Sequence, residues 1–260
     1  MNYQLSTILD EAKIKREGQL KTLNLAMLAY AGIAILLALP SAVAEVTGAS
    51  LEVLFVLQLV FDFFLSPLLT LPLLAGISCL GLARAREEMI RVGLIFGHYN
   101  KIWPLFGFTV LYWLFFVLLG AGVAMITFVS AGAGDTVFLV VLTVLLLAVL
   151  LLSVYVGILL CFSVLLIVDQ DLGVIPAIKR SIAAVRLSGS FALLFKFYFM
   201  FFLWVILGLF TLGIAYFWIF PKYIIAYGII YRDLFDGDTV IPKSVGDPHQ
   251  GPLAKYTQAN

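Results

Sequence analysis

The sequence predicts an all-α, polytopic transmembrane helical bundle of about six spans, and three observations predict it. Of 260 residues, 63% are hydrophobic and only 12% charged, against roughly a quarter charged in a soluble chain whose surface must face water. The apolar residues gather in runs long enough to cross a hydrocarbon core, which takes about 20 residues at about 1.5 Å each. The basic residues are sorted, falling in alternate connections between those runs and avoiding the others. Mean hydropathy is +1.11 and the net charge +1, so the placement of charge carries the information rather than its sum.

At the N-terminus Leu5, Ile8, Leu9 and Ala12 recur at helical spacing beside Lys13 and Arg16. That pattern predicts an amphipathic helix over residues 5–18, lying in a membrane interface with its basic side among anionic headgroups. A first span is expected over 23–44. Ser41-Ala42-Val43-Ala44 has the look of a signal-cleavage site, but the long polar region ahead of the run contains Asp10, Glu11 and Glu17. The apolar run also exceeds the roughly 7–15 residues of a signal core. The expectation is a retained span, with cleavage after Ala44 as the alternative.

The next apolar stretch, from Val53 to Ala83, is too long for one straight crossing and contains Asp62, Pro67 and Pro72. A span over 60–83, kinked at the prolines or with an outer part in the interface, absorbs the excess. Arg84 to Lys101 is a charged intermission in which Ile90 and Leu94, after Arg86-Glu87-Glu88, suggest a short interfacial helix over 87–97. The third span, 102–130, opens with Trp103-Pro104, suited to the headgroup level and a first helical turn. Small residues at 131–135 make a turn into the fourth span, 137–168, which ends at Asp169. Ile175, Ile178, Ile182 and Val185 then recur at helical spacing opposite Lys179, Arg180 and Arg186, predicting a third interfacial helix over 174–187. From Phe191 to Tyr231 only Lys196 and Lys222 interrupt an apolar run about twice the hydrocarbon thickness. Two spans are required, 191–211 and 214–232, with Gly208 and Gly213 marking the tight turn. Residues 1–235 thus form one transmembrane domain, and the Gly- and Pro-rich residues 236–260 a flexible tail.

Orientation follows from the basic residues. Lys13, Lys15, Arg16 and Lys21 precede the first span, and Arg84, Arg86, Arg91 and Lys101 separate the second from the third. Lys179, Arg180 and Arg186 separate the fourth from the fifth, while Arg232, Lys243 and Lys255 follow the sixth; the opposite connections hold Glu45, Glu52 and Asp135. Both termini are expected in the cytoplasm. Each interfacial helix precedes one hairpin, which suggests a threefold repeat of interfacial helix, span out and span back.

Ionisable residues within spans are costly and are functional candidates by default. Lys196, near the start of the fifth span, can snorkel to the headgroups. Lys222 follows Pro221, which frees a backbone carbonyl one turn earlier that could hold an ion or the ammonium itself; the plainer reading has Lys222 reaching an interface. Asp62 is expected near the outer interface, and pairs with Lys222 only if the second segment is strongly tilted. Ser153 and Gly157 give a small-xxx-small spacing that allows close helix approach. Tyr223, Tyr227 and Tyr231 form a stripe suited to packing and interface anchoring. The candidate lipid-interface residues are Lys13, Arg16, Arg84, Arg86, Lys179, Arg180 and Arg186, with membrane lipids and their anionic headgroups as partners. Cys79 and Cys161 read as packing residues, and His98 and His249 are isolated. No motif for a catalytic centre, metal, cofactor or nucleic acid stands out.

Near the C-terminus the chain reads Pro221, Ala226-Tyr227 and Tyr231-Arg232-Asp233-Leu234; upstream stand Val168-Asp169 and Ala177-Ile178-Lys179-Arg180-Ser181. Over about residues 70 to 235 this resembles a group of uncharacterised bacterial inner-membrane proteins with about six spans. That group is similar to the membrane domain fused to some glycerophosphodiester phosphodiesterases. The resemblance implies a bacterial cytoplasmic membrane and no established activity; the phosphodiesterase catalytic domain is absent, so that activity does not carry over.

Three functions follow as expectations. The first is a non-enzymatic component that organises lipid or partner proteins through inner-face amphipathic helices. The second is a small permease or channel-like transporter with a site near Lys222. The third is a membrane-embedded lipid-modifying enzyme.

Overall fold

A computed structural model describes residues 5–130, 135–211 and 213–236, except for the side chains of Asp62, Val129 and Asp135. The small-residue turn over 131–134 and the tail beyond Asp236 lie outside the described residues. The fold is an all-α helical bundle with no strand among the described residues. Five stretches are long and apolar enough to cross a membrane, within Leu20–Val46, Leu51–Ala85, Val92–Phe128, Thr136–Asp169 and Phe191–Phe210. The sixth expected span is a helix, Tyr216–Phe235, that carries Lys222, Arg232 and Asp233 and is mostly buried.

Helix α1 (Leu5–Arg16) leads into α2 (Leu20–Val46). The turn that follows has Gly48 at a φ of +70°, a left-handed conformation that glycine adopts without steric cost. Ser50 then caps α3 (Leu51–Leu57), accepting from the Val53 amide. The excess length of the second segment is absorbed differently from expectation. The chain widens into a π-helical segment, Gln58–Leu65, before α4 (Ser66–Ala85). Pro67 stands in the first turn of α4; having no N–H, it cannot close the bond back to Phe63, and the ladder shifts register just ahead of it.

The expected interfacial helix over 87–97 is not formed. Residues 88–91 are irregular, and two 3₁₀ turns follow, Val92–Phe96 and Tyr99–Lys101. Gly93 and Gly97 lower the helical preference of so short a segment. Helix α5 (Ile102–Ser130) is followed by α6 (Asp135–Leu160) and α7 (Ser163–Asp169), which together form the returning arm of the hairpin. The break at Cys161–Phe162 frees carbonyls that side chains satisfy: Ser181 donates to Leu159 O at 2.7 Å and Tyr227 to Cys161 O at 2.6 Å. Helices α8 (Val174–Leu187), α9 (Phe191–Phe210) and α10 (Tyr216–Phe235) complete the chain. The last turn forms at the expected glycines. The Gly213 amide bonds Gly208 O, Gly213 has a φ of +83°, and Tyr216 packs where a Gly208 side chain would stand.

The first two hairpins close alike. Glu87 after α4 and Asp171 after α7 are non-glycine residues in the left-handed region, φ 66° and 56°. Each pairs with a lysine that precedes its own outgoing helix, Lys15 and Lys101 respectively. The middle unit lacks an α-helix in the interfacial position, so a strict threefold repeat does not hold at the level of elements.

Burial is uneven along the bundle. The core gathers where α1, α7, α8 and the last turns of α4 and α10 meet, around Leu80, Phe162, Leu166 and Tyr231. The lengths of α5 and α6 away from that end expose Leu118, Phe128, Leu147 and Leu151, as expected of surface solvated by lipid tails. Two helices that return to this buried end, α4 and α10, touch backbone to backbone. A Cβ on Gly228 would stand 2.5 Å from Gly81 O, and one on Gly81 would strike Ile224. The close approach expected at Ser153 and Gly157 is not there, since nothing lies within 4 Å of a side chain built on Gly157.

Candidate functional site

Charged side chains meet at the buried end, and the charged residues closing the hairpins build a bracket there. Arg86, the C-cap of α4, forks onto Asp169 at 2.6 and 3.0 Å and onto Asp236 at 2.7 and 2.8 Å. The fully buried Tyr231 donates to the same Asp169 at 3.0 Å. The ends of α4, α7 and α10 are thereby tied to one guanidinium. Hydrogen bonds to Asp236 and then Asp169 hold that guanidinium's pKa above its ordinary value. Beside it, the last carbonyl of α4, Ala85 O, accepts from Lys15 and Arg232, each at 2.8 Å. Two cations at a helix C-terminus meet both its unpaired carbonyl and its dipole. Arg232 also reaches Glu11 and Asp233. The hydrogen bond and charge of Lys15 hold the Glu87 carboxyl below its usual range.

This bracket divides the seven expected lipid-interface residues. Arg84 donates to Lys15 O, Arg86 holds the bracket, and Arg16 donates to Trp218 O at 3.1 Å. Those three serve internal contacts. Arg180 departs furthest from expectation: it is only 6% exposed and stacks over Phe235 at 5.9 Å. Helix α8 is rotated relative to the expected face, burying Ala177, Arg180, Ser181, Ala184 and Val185 and leaving Ile175 exposed. Small residues allow that face to approach its neighbours, while the isoleucines flank it. Lys13, Lys179 and Arg186 remain exposed. None of them enters an ion pair among the described residues, nor do the exposed Lys21, Arg91 and Lys196. Arg186 bonds the Tyr155 hydroxyl at 3.3 Å.

The structure does not bring Asp62 and Lys222 together. The Asp62 side chain lies outside the described residues, but its backbone sits in the π segment, about 28 Å along the helix before the Gly81–Gly228 crossing. Lys222 is only about 9 Å before that crossing on α10. It is partly exposed, with Asp10, Lys13 and Arg16 of α1 in electrostatic reach. The helical segment around Pro221 does receive a cation, but Arg16 supplies it.

A second feature was not legible in the sequence. A cavity of about 600 Å³ opens between α2, α4, the α6–α7 break, α9 and α10. Its walls include Met27, Leu74, Ile77, Phe201, Ile224 and Tyr227, and Lys222 is not among them. Two of the polar groups in the wall are already committed, Ser78 to Leu74 O and Tyr227 to Cys161 O. The tyrosine stripe has three distinct tasks. Tyr223 packs on Phe197 and Phe201, Tyr227 caps the α6–α7 break, and Tyr231 reads Asp169. No group of three or more His, Cys, Asp or Glu suited to a metal occurs among the described residues. The chain matches no protein-family model, no curated protein and no solved structure.

Proposed function

We propose that this chain is a non-enzymatic, multi-pass component of a bacterial cytoplasmic membrane that gathers anionic lipid around its inner face. In this reading the end carrying the bracket faces the cytoplasm and α1 and α8 lie in the interface. One observation carries the reading. The acids of the bracket and hairpin closures are taken up in ion pairs within the chain. By contrast Lys13, Lys21, Arg91, Lys179, Arg186 and Lys196 are exposed and enter no ion pair among the described residues, and they outnumber the exposed acids at that end that likewise enter none, Asp10, Glu17 and Glu88. Basic side chains beside an anionic leaflet each contribute about 1 kcal/mol of attraction. The permease reading is weaker because Lys222 is turned toward α1 and the cavity beside it offers a polar solute few free hydrogen-bonding groups.

The test is lipid selectivity in reconstituted bilayers, measured by electron spin resonance with chain-labelled phosphatidylglycerol and phosphatidylcholine. The native chain is expected to prefer phosphatidylglycerol, and Lys13→Gln/Lys179→Gln/Arg186→Gln to lose most of that preference. Equal association of both lipids with the native chain would overturn the proposal.

A further inference from the structure

We infer that the cavity between α2, α4, α9 and α10 holds one hydrocarbon chain of a membrane lipid, with the headgroup left outside. The inference deepens the lipid-organising reading and rests on it for the membrane setting, but not on headgroup charge. The volume, about 600 Å³, lies inside the range of about 300–1,000 Å³ that ligand sites occupy. The space is a half-open cleft with almost wholly apolar walls, and such walls hold water poorly, so what fills it is apolar. Its lip supplies the route: Ala31 on α2 and Leu74 on α4 line the cavity and are exposed. Both stand on stretches apolar enough to cross a membrane, so the opening faces lipid tails rather than water. The Ser78 and Tyr227 hydroxyls are bonded to backbone carbonyls and the buried Tyr223 hydroxyl has no partner among the described residues. The wall is otherwise overwhelmingly apolar, which favours a hydrocarbon chain over a polar solute. The aromatic wall of Phe197, Phe201 and Tyr223 gives dispersion contacts along the chain's length.

The experiment uses the full chain in bilayers of phosphatidylcholine alone, where the proposed preference for anionic headgroups plays no part. A phosphatidylcholine with a diazirine in mid-chain is photoactivated and the cross-links mapped. The inference expects adducts on the buried wall residues Phe197 and Tyr223, and native mass spectrometry expects one lipid held through delipidation. Ala31→Trp and Leu74→Trp, placed at the exposed lip, should lose that lipid, and Leu150→Trp on the outside of α6 should keep it. Adducts confined to outward residues such as Leu150 and Phe202 would overturn the inference. Retention unchanged in both lip variants would overturn it as well. Capture of the chain without anionic preference would remove the proposed function and leave the cavity's role standing.

Discussion

Replacing Arg86 by methionine tests the bracket, because methionine keeps the apolar stem and removes only the fork. The two partners are not equivalent: Asp236 weighs first on the Arg86 pKa, but water screens the more exposed pair, so its contribution to stability is the smaller. The Asp169 side chain is 16% exposed and shared with Tyr231, whereas Asp236 is 30% exposed at the end of α10. Hydrogen bonds to charged groups contribute about 1.5–3 kcal/mol when sheltered, and exposed ion pairs about 0–1 kcal/mol. Arg86→Met should therefore destabilise the fold by about 2–4 kcal/mol, most of it from the Asp169 side. Reversible unfolding in mixed dodecyl maltoside and dodecyl sulfate micelles, followed by circular dichroism, gives the free energies. Asp236→Asn should cost under about 1 kcal/mol. Asp169→Asn combined with Arg86→Met should cost less than the two singles added, by about 1–2 kcal/mol. Strict additivity, or equal costs for the two aspartates, would refute the assignment of Arg86–Asp169 as the principal tie.

Other outcomes follow from the same geometry. Gly228→Ala should destabilise by about 1–3 kcal/mol, since the new methyl meets Gly81 backbone, while Gly32→Ala, open on all sides, should be neutral or slightly stabilising in the same unfolding assay. Tyr227→Phe should cost about 1–2 kcal/mol by orphaning the Cys161 carbonyl at the α6–α7 break; a neutral result would mean that the carbonyl finds another donor. Lys222→Cys, in a chain lacking Cys79 and Cys161, should react with a hydrophilic maleimide from the cytoplasmic side only; reaction from the outside would revive a transport path. Because Lys15 holds the Glu87 carboxyl below its usual range, that pair favours the fold above the ordinary glutamate pKa and stops doing so as pH falls through the depressed one. Glu87→Gln should flatten that limb of the stability–pH curve, and an unchanged limb would assign it to other carboxylates.

What the sequence made legible is what the bilayer forces. Apolar runs of spanning length, the Gly208–Gly213 turn and the polar ends of the hairpins all follow from burying backbone polar groups within helices. The face of α8 was not legible, for a related reason. Lipid tails are as apolar as a protein core, so the stripe of Ile175, Ile178 and Ile182 does not say which side packs inward. Ala177, Ser181 and Ala184 decide it by their small size, and Arg180 is carried in with them. The bracket joins residues 83 and 150 positions apart, beyond any local pattern, although Asp169 and Tyr231 each stand in a short stretch that already drew notice. The helix crossing chose Gly81 and Gly228 over Gly157 because contact depends on which faces meet, and spacing along one helix cannot report that.

The lipid shell of the native chain reports directly on whether its exposed basic groups gather anionic lipid. Membranes from expressing bacteria would be solubilised with a polymer that lifts out the protein together with its surrounding lipid, and the extracted lipid compared with the bulk membrane. Anionic lipid is expected to be enriched over phosphatidylethanolamine around the native chain, and less so when Lys13, Lys179 and Arg186 are neutralised. A shell with the composition of the bulk membrane in both would contradict the proposed function.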